Sequence, residues 1–202
     1  MKILNCSEYI SEKKGISLES DILVIVDVQR EFSKWIPKNF VEHLMDYSKK
    51  FDLVYQIYDT NKVPLEPLYE FKNKAGDNCE NIPKRFGHKW FDDEILAYIE
   101  KVQQEKDFGV GKLYKLENSK AYIMYNNTYN HRWFYINPEQ VELYEKLKGK
   151  KVVLVGGSSG ECITDCEIAM KQFGVNVVMD HNYIYSADTS KKQKHSKKEY
   201  DF

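Results

Sequence analysis

Cysteine is scarce in this chain of 202 residues: there are four, Cys6, Cys79, Cys162 and Cys166. They form no C-x-x-C pair and no disulfide framework, so reduced thiols are expected. Cys162 and Cys166 lie four apart, but no His or further Cys stands at a spacing that would make a zinc site, and no metal is expected. A long apolar run is also missing. No stretch approaches the 18 or more residues of a membrane span, and the N-terminal MKILNCSEYISEKKG has no signal-peptide core. The expectation is a chain with no membrane partner, resident in the cytoplasm. An excess of one charge is missing as well: 30 Lys and Arg face 31 Asp and Glu, a net charge of −1. Nothing global therefore points to nucleic acid. Nucleotide fingerprints are incomplete. Val155 stands where a dinucleotide motif needs its first Gly, and no Gly-Lys-Ser/Thr triplet follows the glycine turn, so no nucleotide cofactor is expected.

What remains is an ordinary globular composition, with 42% hydrophobic and 30% charged residues, enough for one domain with a substantial core. The many Lys, Asn, Ile and Tyr residues have A/T-rich codons, an association that brings a viral source into view. Residues 1–20 read as a polar N-terminal extension, 21–188 as the domain, and 189–202 as a Lys-rich tail.

The most informative stretch is 151–188. Val152 to Val155 form an unbroken apolar run, the pattern of a strand buried on both faces. Gly156, Gly157, Ser158, Ser159 and Gly160 make a small-residue turn. A helix is predicted over 161–173, stopped by Gly174, and a second strand follows through Val175, Val177, Val178 and Met179. This is a βαβ unit. Cys162 falls at the first turn of its helix, beyond the carboxyl end of the strand, where open α/β sheets bind ligands. Backbone N–H groups and the helix dipole favour a thiolate there. The N–H groups of Glu161 and Cys162 are candidates for an oxyanion hole. A cysteine in this place also serves as a small buried hydrophobe, and both readings stay open.

Ile22 to Val26 form a second apolar strand, with Asp27 at its carboxyl end. A carboxylate there either caps a turn or has a partner that offsets its burial. Further along, the pattern predicts a helix over 40–50 and a strand over 53–58. Residues 62–90 read as a long lid-like loop in which His88 is the first His after Asp59; Trp90, Phe91 and Tyr98 are candidates to line its pocket, although aromatics next to a helix are more often core. A helix is predicted over 91–105, short strands over 108–116 and 121–125, and a helix over 138–147. Asn137 caps that last helix and Pro138 occupies its first turn.

VIVDVQREF and VVLVGGSSGECITDCEIAMKQFGVNVVMD together resemble the isochorismatase-like cysteine hydrolases. The resemblance rests on Asp27, Gln29 and Phe32 in the first motif and on Gly156, Ser159, Cys162 and Ile163 in the second. It covers roughly residues 20–188. It implies a three-layer Rossmann-like α/β fold, a mostly parallel central sheet flanked by helices, and self-association. It implies Cys162 as nucleophile and Asp27 as general base, with Gln29, Tyr125, Tyr129, Arg132 and Trp133 as candidates for shaping or charging the pocket. The chain departs from the family after Asp59, where the His residues of its metal-binding members are missing. It also departs over 122–145, where the family's Lys is expected and no Lys stands. His131 and Arg132 are the only basic residues there, with Lys112, Lys115 and Lys120 in the preceding hairpin.

Two functions follow. One is a cysteine hydrolase acting on an amide or ureido C–N bond of a small-molecule substrate. The other is a catalytically silent module of the same fold, a homo-oligomer or a subunit of a larger assembly such as a viral particle, suggested by the missing Lys and the terminal extensions.

Overall fold

The computed structural model describes residues 20–60, 68–84, 91–126 and 132–187, with the side chain of Arg132 excepted. Its centre is a five-stranded parallel sheet. The strands are β1 (Ile22–Val26), β2 (Leu53–Asp59), β3 (Glu80–Lys84), β7 (Lys151–Gly156) and β8 (Asn176–Ile184), in spatial order β3-β2-β1-β7-β8. The apolar runs explain the middle of that order. All five residues of β1 are buried, as are Val152 to Gly156 of β7, because each strand has neighbours on both sides and packing on both faces. The order reverses between β1 and β7, the kind of point at which open α/β sheets place their ligands.

Alternate residues of the sheet feed two cores. Val24, Val26, Ile57, Val152 and Leu154 share one cluster with α3 (Pro138–Leu147) and α4 (Cys162–Gln172). Leu23, Ile25, Val153 and Val155 share the other with Phe40 and Leu44 of α1 (Phe40–Ser48). A second sheet is antiparallel, with β4 (Leu113–Lys115), β5 (Tyr122–Asn126) and β6 (Arg132–Ile136) in sequential order. Its face bearing Met124, Phe134 and Ile136 joins the α3 and α4 core. Its opposite face packs on Ile99 and Val102 of α2 (Asp93–Gln103). Asn137 caps α3 as its sequence predicts: its side chain accepts from Gln140 N at 2.8 Å and Pro138 opens the helix.

The expected lid over 62–90 is corrected in its described part. Phe71 is fully buried in the α1 core, Ser48 Oγ donates to the Lys72 carbonyl at 2.7 Å, and residues 80–84 are a core strand. Glu-Asn-Ile-Pro-Lys carries no apolar run because β3 is an edge strand, the position that tolerates Pro83. Trp90 and His88 lie outside the described residues. Phe91 and Tyr98 pack in the α2 core. The extensions at 1–19 and 188–202 also lie outside them. No helix of the described residues is long and apolar enough to cross a membrane.

Candidate active site

Asp27 follows β1 with φ at 54°, a left-handed backbone that non-glycine residues rarely adopt and that recurs at functional sites. The turn is tied on three sides. Asp27 N donates to the Ile57 carbonyl at 2.9 Å, Gly157 N donates to the Val26 carbonyl at 2.9 Å, and Tyr185 Oη donates to the Asp27 carbonyl at 2.7 Å. Tyr185 in turn binds the glycine turn through its main chain: its N–H donates to Gly156 and its carbonyl accepts from Ser159 N, both at 2.9 Å. One tyrosine therefore couples the Asp27 turn to the loop that delivers Cys162. Tyr185→Phe is expected to cost about 1–2 kcal/mol in a urea melt, because it strands a buried carbonyl without changing shape.

The side chain of Asp27 points at a cation. Lys84 Nζ lies 2.7 Å from Asp27 Oδ2, and both side chains are sealed from solvent, at 0% and 3% exposure. The Cys162 thiol interacts with the Asp27 carboxylate and with the Lys84 ammonium. Burial pushes the Asp27 carboxyl above its usual value, and the ammonium only partly opposes it. Burial pulls Lys84 down, but the carboxylate of Asp27, then Cys162 and Asp59, outweigh that, and its ammonium is held well above the ordinary lysine value. Lys84 is therefore charged at neutral pH, and Asp27 is more basic than a surface carboxylate.

This corrects the expectation of a missing lysine. Lys84 reaches the site from the end of β3, not from the segment 122–145. The lysines of the hairpin do not enter: Lys112 pairs with Asp107, Lys120 pairs with Glu142 at 3.1 Å, and Lys115 is exposed. The position of Lys84 is enforced by its neighbours. Thr60 donates to the Lys84 carbonyl from both N and Oγ1, at 3.1 and 2.9 Å, and Asn137 Nδ2 donates to the Pro83 carbonyl at 2.7 Å.

Cys162 is the first residue of α4 and is partly exposed, whereas Asp27 and Lys84 are sealed. Four residues on, Cys166 is fully buried and its thiol is pushed up to about 12 by that burial and by nearby Asp27 and Asp165, in spite of Lys84. It is a packing residue. Asp165, in the first turn of α4, is buried and accepts a hydrogen bond from Asn126 Nδ2 of β5.

The remaining expected site residues are placed differently. Glu161 N donates to the Ser158 carbonyl at 3.0 Å, closing the turn before α4, so this half of the expected oxyanion pair is already engaged; Cys162 stands at the first helical position. Gln29 is buried and clamps the main chain of Asp59: its Nε2 donates to Asp59 O at 3.1 Å and its Oε1 accepts from Asp59 N at 2.7 Å. It fastens β1 to β2 rather than lining a pocket. Tyr125 and Trp133 face away from Cys162, because strand alternation puts them with Phe108 in the α2 core, at 5.2 and 5.9 Å between ring centroids. The backbone of Arg132 pairs with Asn126 at the start of β6. Tyr129 and His131 lie outside the described residues. No group of three or more His, Cys, Asp or Glu side chains among the described residues is arranged to hold a metal.

The cluster thus has a thiol at a helix start, a buried carboxylate near it and a buried ammonium paired with that carboxylate, all at the reversal point of a parallel sheet. Comparison of the chain with protein-family models, with curated proteins and with solved structures found no match.

Proposed function

We propose that the protein is a cysteine hydrolase of the isochorismatase-like type, cleaving a C–N bond of a small amide or ureido compound. The observation that carries this reading is the convergence of Cys162, Asp27 and Lys84. The resemblance implies an Asp, Lys and Cys set, and Lys84 supplies the member that the sequence comparison left open. The five-stranded parallel sheet with helices on both faces is compatible with the three-layer fold that the resemblance implies.

In this mechanism Asp27 takes the Cys162 proton as the sulfur attacks the carbonyl carbon. The Lys84 ammonium holds the base ionised before the transfer and balances the negative charge of the thiolate. The oxygen of the tetrahedral intermediate lies at the start of α4, where the Cys162 N–H and the helix dipole stabilise it. The C–N bond breaks, the nitrogen leaves with the proton held by Asp27, and a thioester remains. Water, losing a proton to Asp27, attacks the thioester. The carboxylic (or carbamic) acid departs, and the proton returns to the sulfur. The net reaction consumes one water and yields an acid and an amine.

The alternative of a silent assembly module rested on a missing lysine and on the terminal extensions. The ion pair of Lys84 with Asp27 favours the hydrolase reading over it, and the extensions lie outside the described residues.

The test is the pH profile of Cys162 alkylation by iodoacetamide, read by peptide mass spectrometry against the same peptide in the urea-unfolded chain. An ordinary thiol is only about 1% thiolate at pH 6.5. Folded Cys162 is expected to react roughly tenfold to a hundredfold faster there. The rate falls as pH drops through the Asp27 pKa, which lies above the usual carboxylate value of 3.8. In Asp27→Asn that acid limb disappears and the rate near pH 6.5 falls at least about tenfold. A folded Cys162 that titrates like the unfolded one, with a profile indifferent to Asp27→Asn, sinks the proposal.

A further inference from the structure

The pairing of β1 with β7 ends at Val26 and Gly156, so the turn that carries Asp27 and the turn that leads to Cys162 both lie past the last rung of the ladder. Asp27 N is still fixed by the sheet, through the Ile57 carbonyl, but among the described residues the Asp27 carbonyl accepts only from Tyr185 Oη. The aim of that hydroxyl is set by two neighbours of its buried ring. Phe40 of α1 meets the ring edge-on, with 5.9 Å between centroids and 84° between planes. At Gly157 the ring fills the space of a side chain: a Cβ there would stand 2.3 to 2.6 Å from Cζ, Cε1 and Cε2. The same segment also holds the loop of the thiol. Beyond the bonds of the Tyr185 main chain to Gly156 and Ser159, Ala187 N donates to Ser158 Oγ at 2.7 Å. Residues 185–187, which follow directly on β8, therefore bind Gly156, Ser158 and Ser159, and Cys162 stands three residues further on.

We propose that Tyr185 is a positioning residue of the hydrolase: its hydroxyl locks the left-handed turn at Asp27 while its main chain holds the loop before Cys162, and so it sets the base against the nucleophile. The inference rests on the reading of Cys162 as the nucleophile, and it gives Tyr185 no contact with substrate. An effect on chemistry follows from geometry, because a reacting group misplaced by about 1 Å loses on the order of a hundredfold in rate. Without the hydroxyl, the Asp27 backbone relaxes from its φ of 54° and the carboxyl moves off Lys84. The ionisable groups that act on that carboxyl are Lys84 of β3, Asp59 of β2 and Cys162 of α4, and Asp27 in turn acts on Cys166 deeper in α4 and on Tyr185 itself. Of these only Lys84 is a cation, so moving away from it leaves burial less opposed and raises the carboxyl further.

The experiment follows iodoacetamide alkylation of Cys162 across the acid limb in the full chain, by peptide mass spectrometry, with rates normalised to the urea-unfolded chain. Tyr185→Phe is compared with Ile123→Val, which trims a fully buried side chain in the α2 core and touches no member of the site. Far-UV circular dichroism and urea melts establish that both variants are folded under the assay conditions. Tyr185→Phe is expected to slow the reaction about tenfold near neutral pH and to move the acid limb upward. Ile123→Val is expected to keep the wild-type rate and limb although it too loses stability. Gly157→Ala is a second route to the same bond, since it drives the ring away but keeps the hydroxyl. The double variant Gly157→Ala/Tyr185→Phe is expected to react no more slowly than Gly157→Ala alone. A rate and limb unchanged in Tyr185→Phe, an equal change in Ile123→Val, or additive losses in the double variant overturn the proposal. The wild-type rate separates the two failures. If Cys162 is no faster than in the unfolded chain, the nucleophile reading fails; if it is faster and Tyr185→Phe matches it, only the role given to Tyr185 fails.

Discussion

Lys84→Met is expected to destabilise the fold by about 3–5 kcal/mol at neutral pH and to remove most of the enhanced reactivity of Cys162. Methionine fills much of the space of the lysine stem, so the loss is electrostatic more than steric. What it leaves is a carboxylate sealed among apolar residues with its counter-ion gone. The dependence on pH follows from the signs. Lys84 is held above its ordinary value of 10.5, so its contribution is fully present below that pH and is lost as pH climbs through the higher folded value. Asp27 is raised even with Lys84 in place, and without the ammonium its burial is unopposed, so it rises further. The deficit of Lys84→Met is accordingly largest at neutral pH and shrinks as acid protonates Asp27 and removes the unpaired charge. Urea denaturation at pH 7 and pH 5 measures this. The double variant Asp27→Asn/Lys84→Met is expected to recover a large part of the stability and none of the reactivity. Equal losses at both pH values, or a double variant no more stable than Lys84→Met, would contradict a buried ion pair.

Gly156→Ala is expected to cost about 4 kcal/mol or more, a large effect for one methyl group. A Cβ at this position would lie 2.1 Å from the Val26 carbonyl oxygen and 2.8 Å from Val26 N. Those are backbone atoms of a central strand and cannot rotate aside. The glycine also has φ at 109°, which L side chains rarely adopt. The strain falls on the pairing of β1 with β7, between Val26 and Gly156, one residue before Asp27. Relief by separation of the two strands would pull Asp27 away from Cys162, so alkylation of Cys162 is expected to slow along with the loss of stability. Gly160→Ala is the comparison. That glycine also has positive φ, at 75°, but nothing lies within 4 Å of its Cβ position. It is expected to cost only about 1 kcal/mol, the penalty of a left-handed alanine. Similar losses for the two variants would show that backbone conformation, and not the approach of β1, decides the role of Gly156.

Strands buried on both faces are legible without the fold, because they are written as unbroken apolar runs: the sequence shows Ile22–Val26 and Val152–Val155 with no further context. It determined the start of α3 as well, since a cap acts within a few residues and Asn137 with Pro138 carries the whole signal. It placed Asp27 at the end of β1 and Cys162 at the helix start that follows β7, and the parallel pairing of β1 with β7 brings the two strand ends together. Lys84 was not legible. It stands on an edge strand whose sequence, with Glu80, Pro83 and Lys84 itself, looks like a loop, because an edge strand needs no apolar run and its pairing is specified by β2. The facing of Tyr125 and Trp133 depended on which side of a short antiparallel sheet meets α4, and alternation fixes only that the two sides differ. The role of Gln29 depended on Asp59 being its neighbour across two strands. Local signals are set by contacts between residues close in sequence. The ion pair, the clamp and the choice of face are contacts between distant segments, and only the assembled sheet decides them.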